Sequence, residues 1–313
     1  MPSLARLRTP ALVVALVGLH AVARAPMACC LGRAVPAARA DHLRVVSWNL
    51  RNFPGDHDQD RMRERLDALD PQVLALQEVL QPAALEALRP GWRWHASVHG
   101  GSHGPQRLVL GWDPAAVEVE DVREHASLSM GGRVRPALSG YVRARHGGPD
   151  FHLVVVHLKA TRAGHEVRRQ QWPQLAAVVA ERRADGPAGE DDVLVLGDFN
   201  AAGGPQITAD EERAALATAL APAGLQPWDI VHGCTAYWEG RRRDSFWEPS
   251  RIDLVFGGDL HEVSRREAWP GAHCVRHACG PIEATEHHPE PDLHHMSDHC
   301  PIVVDLPAVD DDP

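Results

Sequence analysis

Val193-Leu194-Val195-Leu196-Gly197-Asp198-Phe199-Asn200 carries an aliphatic run into a glycine, then into a carboxylate and a carboxamide. Four consecutive aliphatic residues read as a strand, and the polar pair sits where that strand stops. The same ending recurs along the chain. Leu43-Arg44-Val45-Val46-Ser47-Trp48 ends in Asn49, Val73-Leu74-Ala75-Leu76 in Gln77-Glu78, and Leu153-Val154-Val155-Val156 in His157. Two later runs are reversed: Asp253 opens Leu254-Val255-Phe256, and Ser297-Asp298-His299 opens Cys300-Pro301-Ile302-Val303-Val304. If those two strands run antiparallel to the first four, all six polar clusters meet at one edge of the sheets. That edge would hold Asn49, Glu78, His157, Asp198, Asn200, Asp253, Asp298 and His299.

Residues 108–112 and 137–145 add further strand-like runs, and His146-Gly147-Gly148-Pro149-Asp150 reads as a hairpin turn. Helical spacing appears twice. Met62, Leu66 and Leu69 fall on one face of residues 60–69, and Leu175, Val178 and Val179 mark a helix within residues 166–183. Many strands with a few interspersed helices predict an α/β or α+β layered architecture, packed sheets covered by helices. Residues 41–307 show no repeat and no Pro-rich or Gly/Ser-rich linker, so they read as one domain. Residues 308–313, with Asp310-Asp311-Asp312, form an acidic tail.

The chain has 313 residues, with 42 acidic side chains against 32 basic ones, a formal charge of −10. At 44% hydrophobic and 24% charged it has the composition of a globular protein able to bury a large core. The acidic excess argues against a protein that coats nucleic acid by charge alone. It leaves room for an enzyme that handles phosphates through a metal ion, which supplies positive field locally.

Residues 1–40 read differently from the rest. Arg6 and Arg8 precede an apolar stretch from Ala11 to Leu19, and small residues follow, which is a secretory signal pattern. The stretch falls short of the ~20 residues that span a bilayer, so no transmembrane segment is predicted. Cleavage after Ala38-Arg39-Ala40 would export the protein to the periplasm or beyond. Cys29 or Cys30 would instead offer a lipid anchor, and a mis-called start codon would leave the protein cytoplasmic. Past the leader, Cys274 and Cys279 are close enough in sequence to bridge a small loop. Cys234 and Cys300 adjoin apolar runs and read as small buried hydrophobes.

A strand-end Asp or Asn taken singly is usually a turn former. Six such ends with complementary chemistry point elsewhere. Oxygen ligands without a thiolate suit a hard ion such as Mg²⁺, with Mn²⁺ or Ca²⁺ as alternatives, and Mg²⁺ commonly uses one or two carboxylates plus phosphate oxygens. Glu78 with Asp298 fits that. Two histidines beside carboxylates supply a proton acceptor and a donor at neutral pH, with Asp253 able to fix one imidazole's tautomer.

In content and order, several segments resemble the endonuclease/exonuclease/phosphatase superfamily, the fold of pancreatic-type deoxyribonuclease. They are Ser47-Trp48-Asn49-Leu50-Arg51-Asn52, Leu76-Gln77-Glu78-Val79, Val156-His157-Leu158, Gly197-Asp198-Phe199-Asn200, Ser250-Arg251-Ile252-Asp253 and Ser297-Asp298-His299. No single motif is diagnostic; the ordered set, spanning residues 42–305, is specific. The resemblance implies a four-layer αββα sandwich of two packed mixed β-sheets flanked by helices, carrying a Mg²⁺-dependent phosphodiesterase or phosphomonoesterase site. It implies Glu78 as a metal ligand, with Asn49 and Asp298 completing or supporting the site. Asp198 and Asn200 would position the attacking water and a phosphate oxygen, with one or two ions left open. His299, oriented by Asp253, would be one acid/base residue, and His157 the other or a stabiliser of phosphorane-like charge. In-line attack on phosphorus needs positioning and charge neutralisation more than covalent help.

The departures matter as well. The deoxyribonuclease branch carries a Tyr/Glu-containing segment after its central loop, and Pro105-Gln106-Arg107-Leu108 has neither. An Arg near a Pro, expected to contact phosphate, is Arg133 or Arg135. Gln77-Glu78-Val79 with His157 looks less like the abasic-site repair branch, and Ser250-Arg251-Ile252-Asp253 replaces the Cys-Asp-Arg signature of the inositol-phosphatase branch. Nuclease-like or lipid-phosphodiesterase-like members remain.

The expected function is an exported, divalent-metal-dependent phosphodiesterase with a nucleic-acid substrate, DNA cut in endonuclease fashion. The alternatives are a phospholipid, sphingomyelin or sugar-phosphate phosphodiesterase, or a non-catalytic binding protein on the same fold. A monomer is expected, with no stable protein partner implied. Lys159 follows His157 by two and would share its strand face, within reach of a substrate phosphate, unless it is a plain surface lysine. Arg241-Arg242-Arg243, flanked by Trp238 and Trp247, either grips a polyanion or tips an exposed hairpin. Residues 273–299 hold His273, His277, His287, His288, His294, His295 and His299 without zinc-finger spacing, and their prolines predict a solvated, irregular loop.

Overall fold

The apolar runs assemble edge to edge into two large sheets and one small one. In order across the first lie Asp229–Ile230 (β10), Glu267–Pro270 (β14), Ile302–Pro307 (β16), His42–Phe53 (β1), Val73–Val79 (β2), Arg107–Trp112 (β4) and Arg93–Ala96 (β3). Across the second lie Val117–His125 (β5), Ala137–Ala144 (β6), Asp150–His157 (β7), Val193–Asp198 (β8), Asp253–Gly258 (β13) and Gln226–Pro227 (β9). The small sheet joins Ala236–Glu239 (β11), Phe246–Ser250 (β12) and Ile282–Glu283 (β15). This computed structural model describes residues 34–309 except 103, 188–189, 241–245 and 286. Most of the leader with Cys29 and Cys30, the Arg241-Arg242-Arg243 cluster and the tail from Asp310 lie outside the described residues.

Strand directions are those the polar ends require. β1 and β2 are parallel, as are β7 and β8. β16 runs antiparallel to β1, and β13 runs antiparallel to β8, with Asp253 opposite Asp198. Both sheets are therefore mixed.

Alternate residues of the central strands go to different layers, which is why the runs are continuously apolar rather than alternating. Val45, Ala75, Leu110, Leu153 and Leu196 meet between the sheets. Their neighbours Val154 and Val195 turn outward, under Leu175 and Val179 of helix α2 (His165–Asp185) and Leu216 of α3 (Ala209–Leu220). On the other side, Val46, Leu74 and Leu76 lie under Met62 and Leu66 of α1 (Gln59–Leu69). The result is the four-layer αββα sandwich. Asp58 caps α1 by accepting from the Arg61 amide at 3.0 Å. The apolar spacing missed α3; its signal was the capping box Thr208 and Glu211, which the structure forms in both directions.

Two expectations are corrected. The cysteines pair Cys234–Cys279 and Cys274–Cys300, so Cys274 does not bridge to Cys279, and Cys234 and Cys300 are buried as half-cystines. The reason is strand pairing: β14 and β16 align Pro270 with Ile302, which sets the residues after one beside those before the other. The His-rich segment is also not a solvated loop. It folds into α4 (Ala272–Arg276), β15 and α5 (Pro291–His295) around Tyr237, Cys274, Ile282 and Leu293. Buried Asp292 holds it, accepting from Arg65 at 2.9 Å and from Arg276.

Two outcomes follow from this packing. Leu153→Ala should cost about 2–5 kcal/mol in urea unfolding, because a fully buried inter-sheet site collapses poorly. A loss under about 1 kcal/mol would mean that the seam between the sheets repacks freely. Peptide mapping without reductant should recover Cys234 linked to Cys279 and Cys274 linked to Cys300; a Cys274–Cys279 peptide would contradict the fold around α4.

Candidate active site

The strand ends do not all deliver their side chains by simple alternation. β2 slips register against both neighbours between Leu76 and Val79, and Glu78 sits there with a φ of 56°. This bulge, with a backbone conformation that L residues seldom adopt, aims the Glu78 carboxylate out of the pleat toward His157. At the end of β8 the close approach of β7 demands a glycine: a Cβ on Gly197 would lie 2.1 Å from the Val156 carbonyl oxygen. Asn200, at a φ of 52°, turns the chain so that its own amide donates to Asp198 Oδ1 at 2.9 Å.

Asp198 is the hub. Its Oδ2 accepts from Asn49 Nδ2 at 3.2 Å, lies 3.2 Å from His157 Nε2 and is 4.0 Å from His299 Nε2. His157 Nε2 is also 3.8 Å from Glu78 Oε1. His299 Nδ1 contacts both oxygens of Asp253, at 2.9 and 3.1 Å, which leaves Nε2 facing Asp198. Asp298 stands 4.0 Å from Arg51 on the more exposed side. The six clusters therefore come together.

Burial sets the electrostatics. It pushes Asp198 up to about 7, and the nearby carboxylates of Asp253 and Glu78 add to the rise against the pull of His299. Burial also drives His157 well below its ordinary value, helped by the charges of Arg135 and His299, so its imidazole is neutral. Its contact with Asp198 then assigns the proton to Nε2. For His299 burial works against the charge, but Asp253, Asp198 and Asp298 overcome it and hold the imidazolium well above its usual range. One histidine neutral and one charged, on either side of a carboxylate near 7, is a graded acid/base set.

The donor chemistry fits a hard divalent cation. The carboxylates of Glu78 and Asp298 and the carboxamide oxygen of Asn49 are hard oxygen donors, with no thiolate among them.

Of the substrate-binding candidates, Arg135 is at the site. It is buried and donates to the carbonyl oxygens of His157 and Leu158 at 3.3 and 3.4 Å. Arg133 is exposed and folds back onto the Met130 carbonyl at 2.9 Å, away from that role. Lys159 also departs from expectation: β7 ends at His157, so alternation does not extend to it, and its stem packs against Gly164.

Supporting residues were missed. Gln106 bridges Asn52 at 2.6 Å and Arg135 at 3.1 Å, which fills the stretch lacking a Tyr/Glu pair. Trp48 Nε1 donates to the His299 carbonyl at 3.0 Å, Ser297 Oγ to the Asn49 carbonyl at 2.7 Å, and Thr235 Oγ1 accepts from the Asp253 amide at 3.0 Å. Ser297 and Trp48 lay inside the quoted motifs; Gln106 and Thr235 carried no local signal.

Between its ordinary 3.8 and about 7, the folded chain keeps a proton on Asp198 that the unfolded chain has lost. This group therefore makes the metal-free protein lose stability as pH rises through that window, and Asp198→Asn removes the loss. In EDTA, the Tm of Asp198→Asn relative to wild type should climb between about pH 4 and about pH 7 and level off above that. A difference that stays flat would mean that Asp198 is an ordinary ionised carboxylate.

The family model for the Endonuclease/Exonuclease/phosphatase family matches residues 46–299. The fold is similar to that of the human Nocturnin catalytic domain solved with a bound sulfate anion, at 18% identity over 86% of this chain and 94% of that chain, TM-score 0.58. It is similar to D. rerio TDP2 complexed with single strand DNA product, at 18% identity over 84% and 98%, TM-score 0.57. A family protein from Bacteroides thetaiotaomicron matches at 17% identity over 85% and 94%, TM-score 0.57. No curated protein sequence matches the chain. The matched span begins one residue after Val45 and ends on His299, so it takes in every strand end that converges on Asp198. This chain belongs to the endonuclease/exonuclease/phosphatase family, whose members hydrolyse phosphoester bonds, in general with a divalent metal ion.

Proposed function

We propose that the protein is a Mg²⁺-dependent phosphodiesterase that cuts DNA in endonuclease fashion by in-line attack of water. The observation that carries the reading is the geometry around Asp198: Asn49 and His157 contact its carboxylate, and His299, held through Nδ1 by Asp253, turns Nε2 toward it at 4.0 Å. Glu78 and Asp298, with Asn49, would hold the ion. A bound Mg²⁺ would polarise the phosphate and offset its charge. Asp198 accepts the proton of the attacking water, its lone pairs fixed by Asn49, His157 and the Asn200 amide. His299 Nε2 then neutralises charge on the phosphorane-like state or protonates the departing oxygen. Neutral His157 donates to Asp198 and keeps its geometry.

Nucleic acid is supported by an arginine-lined groove that opens at Asn200 and includes Arg162, Arg213 and Arg251. D. rerio TDP2, of the same fold, is known with a single-strand DNA product. A lipid phosphodiester is the second reading, because Trp238 and Phe246 expose apolar surface on the small sheet beside this groove. We also propose export, since two disulfides suit an oxidising compartment.

The deciding experiment gives the purified protein plasmid DNA, sphingomyelin vesicles and bis-p-nitrophenyl phosphate, each with Mg²⁺ or EDTA. Cleavage of DNA that EDTA abolishes is expected, with Asp198→Asn and His299→Ala each lowering kcat about 100- to 10,000-fold while the protein stays folded. Hydrolysis of the vesicles alone would favour the lipid reading. Metal-independent hydrolysis, or none, would end the proposal.

A further inference from the structure

Two cavities, of about 840 and 460 Å³, share the side chains of Arg213 on α3 and Arg251 just before β13. The larger opens at Asn200 and runs past Trp238; the smaller continues between α3 and β13 toward Trp228. At their junction the charges do not balance. Arg213 pairs with Asp210, and Arg251 reaches the same carboxylate only at 3.6 Å, so two guanidinium groups share one acid whose side chain is 83% exposed. The Nε of each arginine is buried without a hydrogen-bond partner. Arg213 donates its remaining bonds to the Ala201 and Arg251 carbonyls, at 3.4 and 3.2 Å. Its guanidinium is lowered from its ordinary value first by burial and then by the charge of Arg251. An anion at this junction would relieve the repulsion between the two guanidinium groups.

Position adds to charge. Arg251 precedes Asp253 by two residues, about 7 Å of extended chain, and Asp253 lies opposite Asp198 in the sheet. A phosphodiester held at the cluster therefore leaves the next phosphate of its strand near Arg251. Trp238, 53% exposed, lines the same large cavity, and its ring face suits an unpaired base. We propose that Arg251, backed by Arg213, is a second phosphate site that holds a non-scissile phosphate of single-stranded DNA while a base lies against Trp238. The inference rests on the phosphodiesterase reading above and sharpens it. A lipid offers one phosphodiester and nothing for Arg251 to take, whereas a strand offers the next phosphate along.

The test is fluorescence anisotropy of a labelled oligothymidylate in EDTA, where nothing is cut, over a series of salt concentrations. Arg251→Ala should weaken binding about tenfold and flatten the salt slope by about 0.7, the share of one phosphate on a single strand. Arg251→Lys should restore the slope, because the charge returns. Trp238→Ala should weaken binding about tenfold and leave the slope alone. Wild-type affinity and slope in folded Arg251→Ala would overturn the proposal, as would a duplex that binds more tightly than the single strand with Trp238→Ala indifferent. Failure of the wild-type protein to hydrolyse plasmid DNA, sphingomyelin or bis-p-nitrophenyl phosphate would instead sink the enzymatic reading, and the anisotropy would still decide this one.

Discussion

A carboxylate with almost no access to water, Asp198, is the constraint around which this fold is arranged. Ionising it there is unfavourable, so its surroundings must hold it in place while leaving it able to trade a proton or face a cation. β8 supplies its backbone from the centre of one sheet, and Asn49 reaches it from the other. The two sheets must therefore pack with their strand ends level. A slide of either sheet by one residue would part these ends by about 3.3 Å, enough to break the Asn49–Asp198 contact. The large apolar seam between the sheets fixes the level, which makes the core a precondition of the site's geometry.

The supporting contacts are mainly backbone to side chain. Trp48, Ser297 and Thr235 each bond to the main chain beside a polar end: His299, Asn49 and Asp253 respectively. Such bonds position the backbone from which the active groups project and leave those groups' outer faces open. The bulge at Glu78 has the same effect by a different route, since it stores an unfavourable φ to bring one more oxygen donor into the cluster.

Much of this was legible in the sequence, and the limits were physical. Strands buried on both faces give continuous apolar runs, so their ends, and the polar residues there, were conspicuous. The directions of β13 and β16 could be posed as a condition and the structure meets it. Contacts made across the sheets left no local trace. Cys274 lies five residues from Cys279 but pairs with Cys300, because strand alignment outranks sequence distance. Gln106 gains its place only when the loop before β4 meets Asn52 and Arg135. The placement of Lys159 on the strand face of His157 fails because a period of two ends with its strand. α3 has too few apolar residues for spacing to reveal it, yet its capping box was visible. The histidines of the segment before β16 looked like one feature in sequence; in space His273 is buried in a small core while His299 faces Asp198.

The two disulfides interleave: the ring closed by Cys234 and Cys279 overlaps the ring closed by Cys274 and Cys300. Every peptide bond from Cys234 to Cys300 thus lies inside at least one ring. A protease that nicks the chain once anywhere in this stretch, including the arginine-rich connection between β11 and β12, releases no fragment. The piece carrying Asp298 and His299 stays covalently attached to the piece carrying Asn49, Glu78 and Asp198. In surroundings rich in proteases, such a chain can be cut and still keep both halves of its site on one molecule.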